Sequence, residues 1–176
     1  MLVEKTDSGV FDQIYALMET SFPLEEYRPY PEQKALLSRP AYGLYAARDD
    51  REGNLLGFAA VWEWEDFAFI EHIAVSPDYR NGGLGGKLLD QVVDLLGKPV
   101  CLEVEPPDGG MASRRIGFYQ RHGFFLNPYP YIQPSISQGR NPIPLQIMTY
   151  GREISEAAFA TIRNRLYRQV YQVEAS

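Results

Sequence analysis

Apolar positions along the chain repeat with two periods, and the two kinds of stretch predict a mixed α/β fold. Apolar residues three or four apart indicate helices, whereas short runs rich in aromatic and β-branched residues indicate strands. The predicted strands cover residues 2–6, 42–48, 55–65, 67–75, 100–105, 124–126 and 145–150. The predicted helices begin near residues 8, 32, 84, 111 and 155.

The order of these elements predicts how the strands connect. The three strands between residues 42 and 75 follow one another as a meander, and a helix separates the last of them from the strand at 100–105. A helical crossover of this kind joins parallel strands. With 176 residues the chain suits one domain with a substantial core. We expect a single domain over residues 1–176, with its core to about 151 and an added C-terminal helix over about 154–172.

A glycine-rich stretch lies between a predicted strand and a predicted helix. Glycine adopts backbone angles that other residues avoid and lets a ligand approach the main chain, and N–H groups at a helix N-terminus bind anions. Two basic residues in the stretch add positive charge to an otherwise acidic chain. The stretch is therefore predicted to cradle a phosphate or pyrophosphate. Its residues are Arg80, Asn81, Gly82, Gly83, Leu84, Gly85, Gly86 and Lys87.

The composition of the chain argues against several kinds of binding partner. The formal net charge of −6 argues against nucleic acid as a partner. A single cysteine excludes an internal disulfide and fits a reducing compartment, and only two histidines accompany it as possible zinc ligands. No apolar run reaches the length of about 20 residues that a membrane span needs, and no signal-peptide pattern opens the sequence. We expect a cytoplasmic protein with no metal, nucleic-acid or membrane partner.

The glycine stretch resembles a known acyl-CoA-binding motif. Arg80-x-x-Gly83-x-Gly85 follows a strand, and a second block, Gly117–Phe124, lies downstream at about the usual distance. Together they resemble the GNAT superfamily of acyl-CoA N-acyltransferases over most of the chain, roughly to Tyr150. The resemblance implies an α/β fold of the α+β type. Its sheet would be single, mixed, mostly antiparallel and seven-stranded, with splayed parallel central strands, and helices would flank it.

The resemblance also implies a cosubstrate and a reaction. Acetyl-CoA would donate an acetyl group to a primary amine of a small molecule or peptide by direct attack in a ternary complex. The pantetheine arm would pair with main-chain groups of Ile73, Ala74 and Val75. The family often has an asparagine that contacts this arm; Ala112 and Ser113 stand at the corresponding positions, and Ser113 is the candidate replacement.

Tyr119 is the candidate general acid, because the family's tyrosine at this position lies near the sulfur of coenzyme A and can protonate it. The candidate bases are Glu71 and Glu103, ahead of Glu105, since a strand glutamate can accept the amine proton. Several family members carry a base at the position of Glu103. Partial burial in the cleft would raise the pKa of such a carboxylate toward a useful range. Cys101 is expected to pack in the core.

Strand alternation predicts which side chains accompany Glu71. Glu71, Ile73 and Val75 are two residues apart and are expected to share a face of the strand, with His72 on the opposite face. His72 is therefore not among the candidate catalytic residues.

Two functions remain open from the sequence. The chain is either an acetyl-CoA-dependent N-acetyltransferase or a non-catalytic acyl-CoA-binding sensor or scaffold with the same fold, and Tyr119 and the carboxylates favour the enzyme. Arg28, in the loop between the first two helices, either meets the acceptor or lies in an exposed loop. The long, proline-rich segment Asn127–Pro144 is expected to border the acceptor site. The identity of the acceptor, and the choice between monomer and homodimer, stay open.

Overall fold

The computed structural model describes residues 1–174. The chain forms two compact units, the first from Met1 to Val100 and the second from Cys101 onward. The described strands are β1 (Leu2–Thr6), β2 (Tyr42–Arg48), β3 (Leu55–Glu63), β4 (Ala68–Val75), β5 (Val100–Val104), β6 (Phe124–Leu126), β7 (Tyr131–Gln133) and β8 (Ile143–Tyr150). The described α-helices are α1 (Phe11–Ser21), α2 (Tyr30–Ala35), α3 (Leu84–Leu96), α4 (Met111–Arg121) and α5 (Glu156–Arg165). That the two units form one domain stays a prediction.

The first unit is built on four strands that pair in chain order. β1 to β4 are each antiparallel to the next, so the predicted meander is confirmed. β2 and β3 are buried along most of their length. Helix α1 buries one apolar stripe, and α3 packs on the sheet through Leu88, whose Cδ2 atom lies 3.3 Å from where a Cβ on Gly57 would be.

The start of α2 differs from the prediction. The helix begins at Tyr30 rather than at Glu32, and Pro31 occupies its first turn. A proline is well placed there because the first N–H groups of a helix have no intrahelical partner. Residues 24–31 are thus partly helical, with a 3₁₀ turn at Leu24–Glu26 before α2.

One extra residue interrupts the ladder between β3 and β4. Ala60 lies opposite His72, but the next residue, Val61, lies opposite Ile70. Glu71 therefore has no opposite residue on β3. An unpaired residue of this kind is a β-bulge, which re-aims the side chains around it.

The bulge changes which side chains share a face of β4. Glu71 and His72 lie on the face of Trp62, whereas Ile73 and Val75 lie on the other face. The prediction that Glu71 shares a face with Ile73 and Val75, with His72 opposite, is wrong. A one-residue insertion reverses the alternation beyond it.

The second unit is organised around β8. β5 and β6 both pair antiparallel with β8, and β7 pairs with its first residues. β7 is an additional strand within the proline-rich segment: Tyr131–Gln133 fits between Pro130 and Pro134. Prolines limit that strand to three residues but do not prevent pairing, so the described residues contain eight strands where seven were expected.

The C-terminal helix forms as predicted and ends irregularly. The Ser155 side chain accepts a hydrogen bond from the backbone N–H of Ala158 and caps α5. After α5 the chain continues as a π-helical turn, Leu166–Val170. Leu166, Val170 and the following Tyr171 are all buried.

Gly57→Ala is expected to lower the free energy of unfolding by about 1–3 kcal/mol. The new Cβ would lie 2.6 Å from the carbonyl oxygen of Ala74 and 3.1 Å from Cα of Val75, and neither backbone atom can rotate away. Urea unfolding measures the change. The control is Gly82→Ala, whose Cβ meets no atom of residues 1–174 within 4 Å and should cost less than about 0.5 kcal/mol. Equal stabilities would contradict the close approach of β3 and β4.

Candidate active site

The glycine stretch forms an open helix N-terminus. A 3₁₀ turn at Pro77–Tyr79 follows β4, and Gly83 stands at the N-cap of α3 with a φ of 75°. Within the described chain no side chain caps this helix, and its first turn carries no acidic residue. Its first N–H groups and the positive end of the helix dipole are thus available to an anion.

Two residues of the glycine stretch have backbone angles that few residue types adopt. Asn81 and Gly83 both have positive φ, 71° and 75°, a conformation that glycine adopts without strain and asparagine tolerates. A Cβ on Gly82 or Gly83 would meet no described atom within 4 Å. The predicted loop therefore exposes its main chain, as phosphate binding requires.

Near the end of β4, some main-chain N–H and C=O groups point away from β3. The N–H of Ser76 donates to the carbonyl of Leu56 on β3, at 2.8 Å. Because successive residues of an antiparallel strand point their N–H and C=O groups to opposite sides, Ala74 also faces β3, whereas Ile73 and Val75 face away. Of the three predicted main-chain contacts, Ile73 and Val75 have suitably directed groups, and Ala74 uses its own in the ladder.

Arg80 lies against this edge. Its Nε donates to the Val75 carbonyl oxygen at 3.1 Å, and its Nη2 lies 3.3 Å from Ser21 Oγ. The guanidinium is thereby held near the end of β4, where its positive charge adds to that of the α3 N-terminus. Lys87 lies exposed on the first turns of α3.

Glu71 lies in a buried ion pair. Its carboxylate accepts hydrogen bonds from Arg28 Nη1 at 3.0 Å and from Trp62 Nε1 at 2.8 Å. Only 5% of the Arg28 side chain and 2% of the Glu71 side chain are exposed. Arg28 therefore does not lie in an exposed loop: its side chain anchors the segment between α1 and α2 to β4.

Further hydrogen bonds extend this anchor. Gln33 Oε1 accepts from the backbone N–H of Arg28 at 3.1 Å, and Gln33 Nε2 donates to the hydroxyl of Tyr42 at 3.0 Å. The Tyr15 hydroxyl donates to the Arg28 carbonyl oxygen at 2.8 Å. Buried polar groups need such partners, so Glu71 is the sheet end of a network that fixes residues 28–33.

The pKa of Glu71 departs from the expectation for a base. Burial raises the pKa of this carboxyl, but Arg28, His72 and the Trp62 donor together outweigh burial, and the pKa lies below its usual value. The expected upward shift is wrong for this residue because the bulge turns it onto a buried cation. A carboxylate held in this way is a weak proton acceptor.

His72 lies beside Glu71 on the same face of β4. Its Nε2 lies 2.6 Å from the carbonyl oxygen of Glu26, and its ring contacts Phe22. Burial lowers the pKa of His72, although Glu71 opposes the effect. His72 thus helps to hold the segment after α1.

Glu103 has a different environment. Its carboxylate accepts from the hydroxyl of Tyr131 at 2.6 Å and from that of Tyr171 at 2.7 and 2.8 Å. Glu103 is half-buried, whereas Glu105 is exposed. Both tyrosines come from the chain beyond residue 124. Neither tyrosine was predicted as a partner of Glu103, because Tyr131 lies in the proline-rich segment and no pattern along the chain links Tyr171 to this carboxylate.

Tyr119 and Ser113 lie on α4 in the second unit. Tyr119 is half-buried, and its ring contacts those of Phe118 and Phe124. The Ser113 hydroxyl oxygen accepts from the backbone N–H groups of Asp108 and Gly109, at 3.0 and 2.8 Å. Ser113 thus holds the turn before α4, and its contact with a cosubstrate stays a prediction, as does the role of Tyr119.

In residues 1–174, no three His, Cys, Asp or Glu side chains are grouped so that they could hold a metal ion. Over the same span, no helix combines the length and the apolar character needed to cross a membrane.

Comparison with known proteins identifies the class. The sequence model of the acetyltransferase (GNAT) family matches residues 11–124. A solved structure from Bacteroides thetaiotaomicron, named as a GNAT-family acetyltransferase, is 33% identical, with a TM-score of 0.91 over 99% of this chain and 100% of its own. The chain belongs to the acetyltransferase (GNAT) family, and the predicted family and fold are confirmed.

Other relatives agree on the class. YjbC of Bacillus subtilis (strain 168), which bears an acetyltransferase name, is 36% identical over 112 residues, 62% of this chain and 55% of its own length. The chain spans about half the length of the curated relatives it matches.

More distant structures share the fold. One is the ribosomal-protein-S18-alanine N-acetyltransferase of Escherichia coli, with a TM-score of 0.65 and 21% identity over 88% of this chain and 95% of its own. Another is a GNAT-family acetyltransferase from Elizabethkingia anophelis with acetyl-CoA bound, with a TM-score of 0.56 and 16% identity over 85% and 96%.

Glu71→Gln is expected to lower the free energy of unfolding by about 3–5 kcal/mol, because it leaves the buried Arg28 charge uncompensated. The control is Glu63→Gln, which breaks the more exposed pair with Lys98 (3.1 Å) and should cost at most about 1 kcal/mol. Replacing both Arg28 by Met and Glu71 by Leu should restore most of the loss. Urea unfolding of the variants measures these changes. A Glu71→Gln variant that loses no more stability than Glu63→Gln would contradict the stabilising role of the Arg28–Glu71 pair.

The same pair predicts a pH dependence. Because the folded-state pKa of Glu71 is lowered, its contribution is fully present above the ordinary value of 4.5 and is lost as pH falls through the folded value. The stability difference between the parent and Glu71→Gln should therefore be constant near neutrality and shrink below about pH 4.5. Urea unfolding at a series of pH values measures it, and a difference that grew on acidification would contradict the lowered pKa.

Proposed function

We propose that this protein transfers an acetyl group from acetyl-CoA to a primary amine of a small molecule or peptide, by direct attack in a ternary complex. The neutral amine attacks the thioester carbonyl, so that a C–N bond forms and the C–S bond breaks. One proton leaves the nitrogen, and the coenzyme A sulfur departs as thiolate or takes up a proton. Holding the reactants together supplies much of the rate.

The observation that carries this proposal is the uncapped N-terminus of α3 directly after β4. Its N–H groups, with Arg80, suit the pyrophosphate of coenzyme A. The outward peptide groups of Ile73 and Val75 suit an extended pantetheine arm, which would pair with them as an added strand does. The acetyl-CoA bound to the Elizabethkingia anophelis protein supports the choice of cosubstrate.

Of the two candidate bases, we assign the amine proton to Glu103. Glu71 is buried against Arg28, and its lowered pKa makes it a poor acceptor. Glu103 is only half-buried, and neutral hydroxyl groups of Tyr131 and Tyr171 bond to it. Glu71 instead has a structural role in this proposal.

An amine acceptor agrees with the names of related proteins, since the Escherichia coli enzyme acts on an alanine of a ribosomal protein. We propose that the segment Asn127–Pro144, including β7, borders the acceptor. Tyr119 is the proposed proton donor to the leaving sulfur.

The reaction is tested by the release of free coenzyme A thiol from acetyl-CoA across a panel of polyamines, aminoglycosides, amino acids and peptides. The expected result is amine-dependent thiol release with one class, and mass spectrometry should show an acceptor heavier by one acetyl group. Acetyl-CoA binding without thiol release for any member would indicate an acyl-CoA-binding module instead.

Gly85→Glu is expected to weaken acetyl-CoA binding at least tenfold, because a carboxylate would face the phosphates at the α3 N-terminus. Gly85→Gln has nearly the same shape without the charge and is the matched control. Calorimetry measures both affinities, and circular dichroism checks folding. If the Glu and Gln variants bind acetyl-CoA equally well, the phosphates do not lie at this helix.

Tyr119→Phe is expected to lower turnover. General acids typically contribute a factor of about 10²–10⁴, and the decrease should lie within this range or be smaller. A thiol has a pKa of roughly 8.5 and an amine one of about 10, so the thiolate can leave unaided and the acid only assists. Acetyl-CoA affinity should hardly change, since the ring remains. Parental turnover with an unchanged alkaline limb of the pH–rate profile would remove Tyr119 from the mechanism.

A further inference from the structure

Glu103 is held by two tyrosines that come from different elements of the second unit. Tyr131 belongs to β7, and Tyr171 follows the π-helical turn after α5. The Tyr171 hydroxyl lies 2.7 Å from one carboxylate oxygen and 2.8 Å from the other, while Tyr131 lies 2.6 Å from the second oxygen. Three contacts of this length fix the direction in which the carboxylate faces.

The π-helical turn gives Tyr171 its position. The N–H of Tyr171 donates to the carbonyl of Leu166, five residues earlier, at 3.0 Å, so the two residues lie one above the other. Leu166 is fully buried and Tyr171 is 7% exposed. A regular helix would place residue 170 or 169 at this point, and π-helical turns occur often at functional sites.

Both tyrosines lie outside residues 11–124, the part that the family model matches. The chain that follows the added C-terminal helix therefore carries a side chain to the proposed base. A hydroxyl group that donates to a carboxylate stabilises its charged form and limits its rotation.

We propose that Tyr131 and Tyr171 are positioning residues for Glu103, and that the C-terminal turn thereby belongs to the catalytic apparatus. The inference rests on the proposed function, in which Glu103 accepts the amine proton. Removing either hydroxyl leaves the carboxylate with fewer donors. Its pKa then rises, and its orientation becomes less defined.

Other titratable groups lie near Glu103, and they lose their protons at a higher pH than a carboxyl group does. They include Cys101 and Tyr167, besides the two tyrosines themselves. Burial, followed by the Glu103 charge, raises the pKa of Cys101 and of Tyr131 well above their ordinary values. Burial also raises the pKa of Tyr167. Cys101, Tyr131 and Tyr167 therefore stay protonated in the pH range where a carboxyl group titrates.

Tyr171→Phe tests the proposal, because it removes both contacts of the Tyr171 hydroxyl with the carboxylate and keeps the ring. In the profile of kcat/KM for acetyl-CoA, measured at a saturating concentration of the acceptor, the acid limb should move to higher pH by about one unit. We expect kcat to fall about tenfold at neutral pH and KM for acetyl-CoA to stay within about twofold. Tyr131→Phe should act in the same direction.

The matched control is Tyr167→Phe. The Tyr167 ring contacts that of Tyr131, but its hydroxyl donates to the Ile132 carbonyl at 2.6 Å and not to Glu103. This variant should keep the parental pH profile whatever it does to stability. A profile that moves equally in Tyr167→Phe, or does not move in Tyr171→Phe, overturns the positioning role.

A second measurement needs no turnover. Carbon-13 NMR of the Glu103 carboxyl in the substrate-free protein should show a higher pKa in Tyr171→Phe than in the parent. A carboxyl pKa that does not change overturns the proposal. If no amine of the panel is acetylated, the proposed function fails, while the carboxyl titration still decides whether these tyrosines tune Glu103.

Discussion

The extra residue in β4 determines the surroundings of Glu71 and His72 and the direction of the peptide groups that follow them. Without the bulge at Glu71, this side chain would accompany Ile73 and Val75 on the α3 side of the sheet. With it, Glu71 and His72 turn toward the segment after α1. The same insertion sets which peptide groups near the end of β4 face away from β3. One backbone irregularity thus fixes both a structural anchor and a proposed binding edge.

The two candidate bases are both glutamates, but their different partners suit them to different roles. Glu71 is paired with a buried guanidinium, and removal of either charge leaves the other uncompensated, so this carboxylate is suited to hold structure. Glu103 is bonded by neutral hydroxyl groups, which orient it while leaving its charge in place. A base must change protonation during each cycle, and the second environment tolerates that change better.

Local features of the sequence predicted the local parts of this structure. The glycine stretch and α3 were predictable, because loop, N-terminus and apolar stripe lie within about 20 consecutive residues. The bulge at Glu71 was not, since a period-two pattern looks the same with one residue added until the partner strand is known. The bonds from Tyr131 and Tyr171 to Glu103 join residues 28 and 68 positions apart. No pattern along the chain marks such pairs, and the prolines around β7 argued against pairing there.

The central claim is that acetyl-CoA lies along the outward edge of β4 with its phosphates at the start of α3. Backbone amide NMR during titration with acetyl-CoA tests this claim most directly. The account predicts large shifts for the N–H groups of Leu84, Gly85 and Gly86, and larger shifts for Ile73 and Val75 than for Ala74, whose N–H is used by β3. Shifts of equal size along residues 73–75, or none at the start of α3, would contradict it.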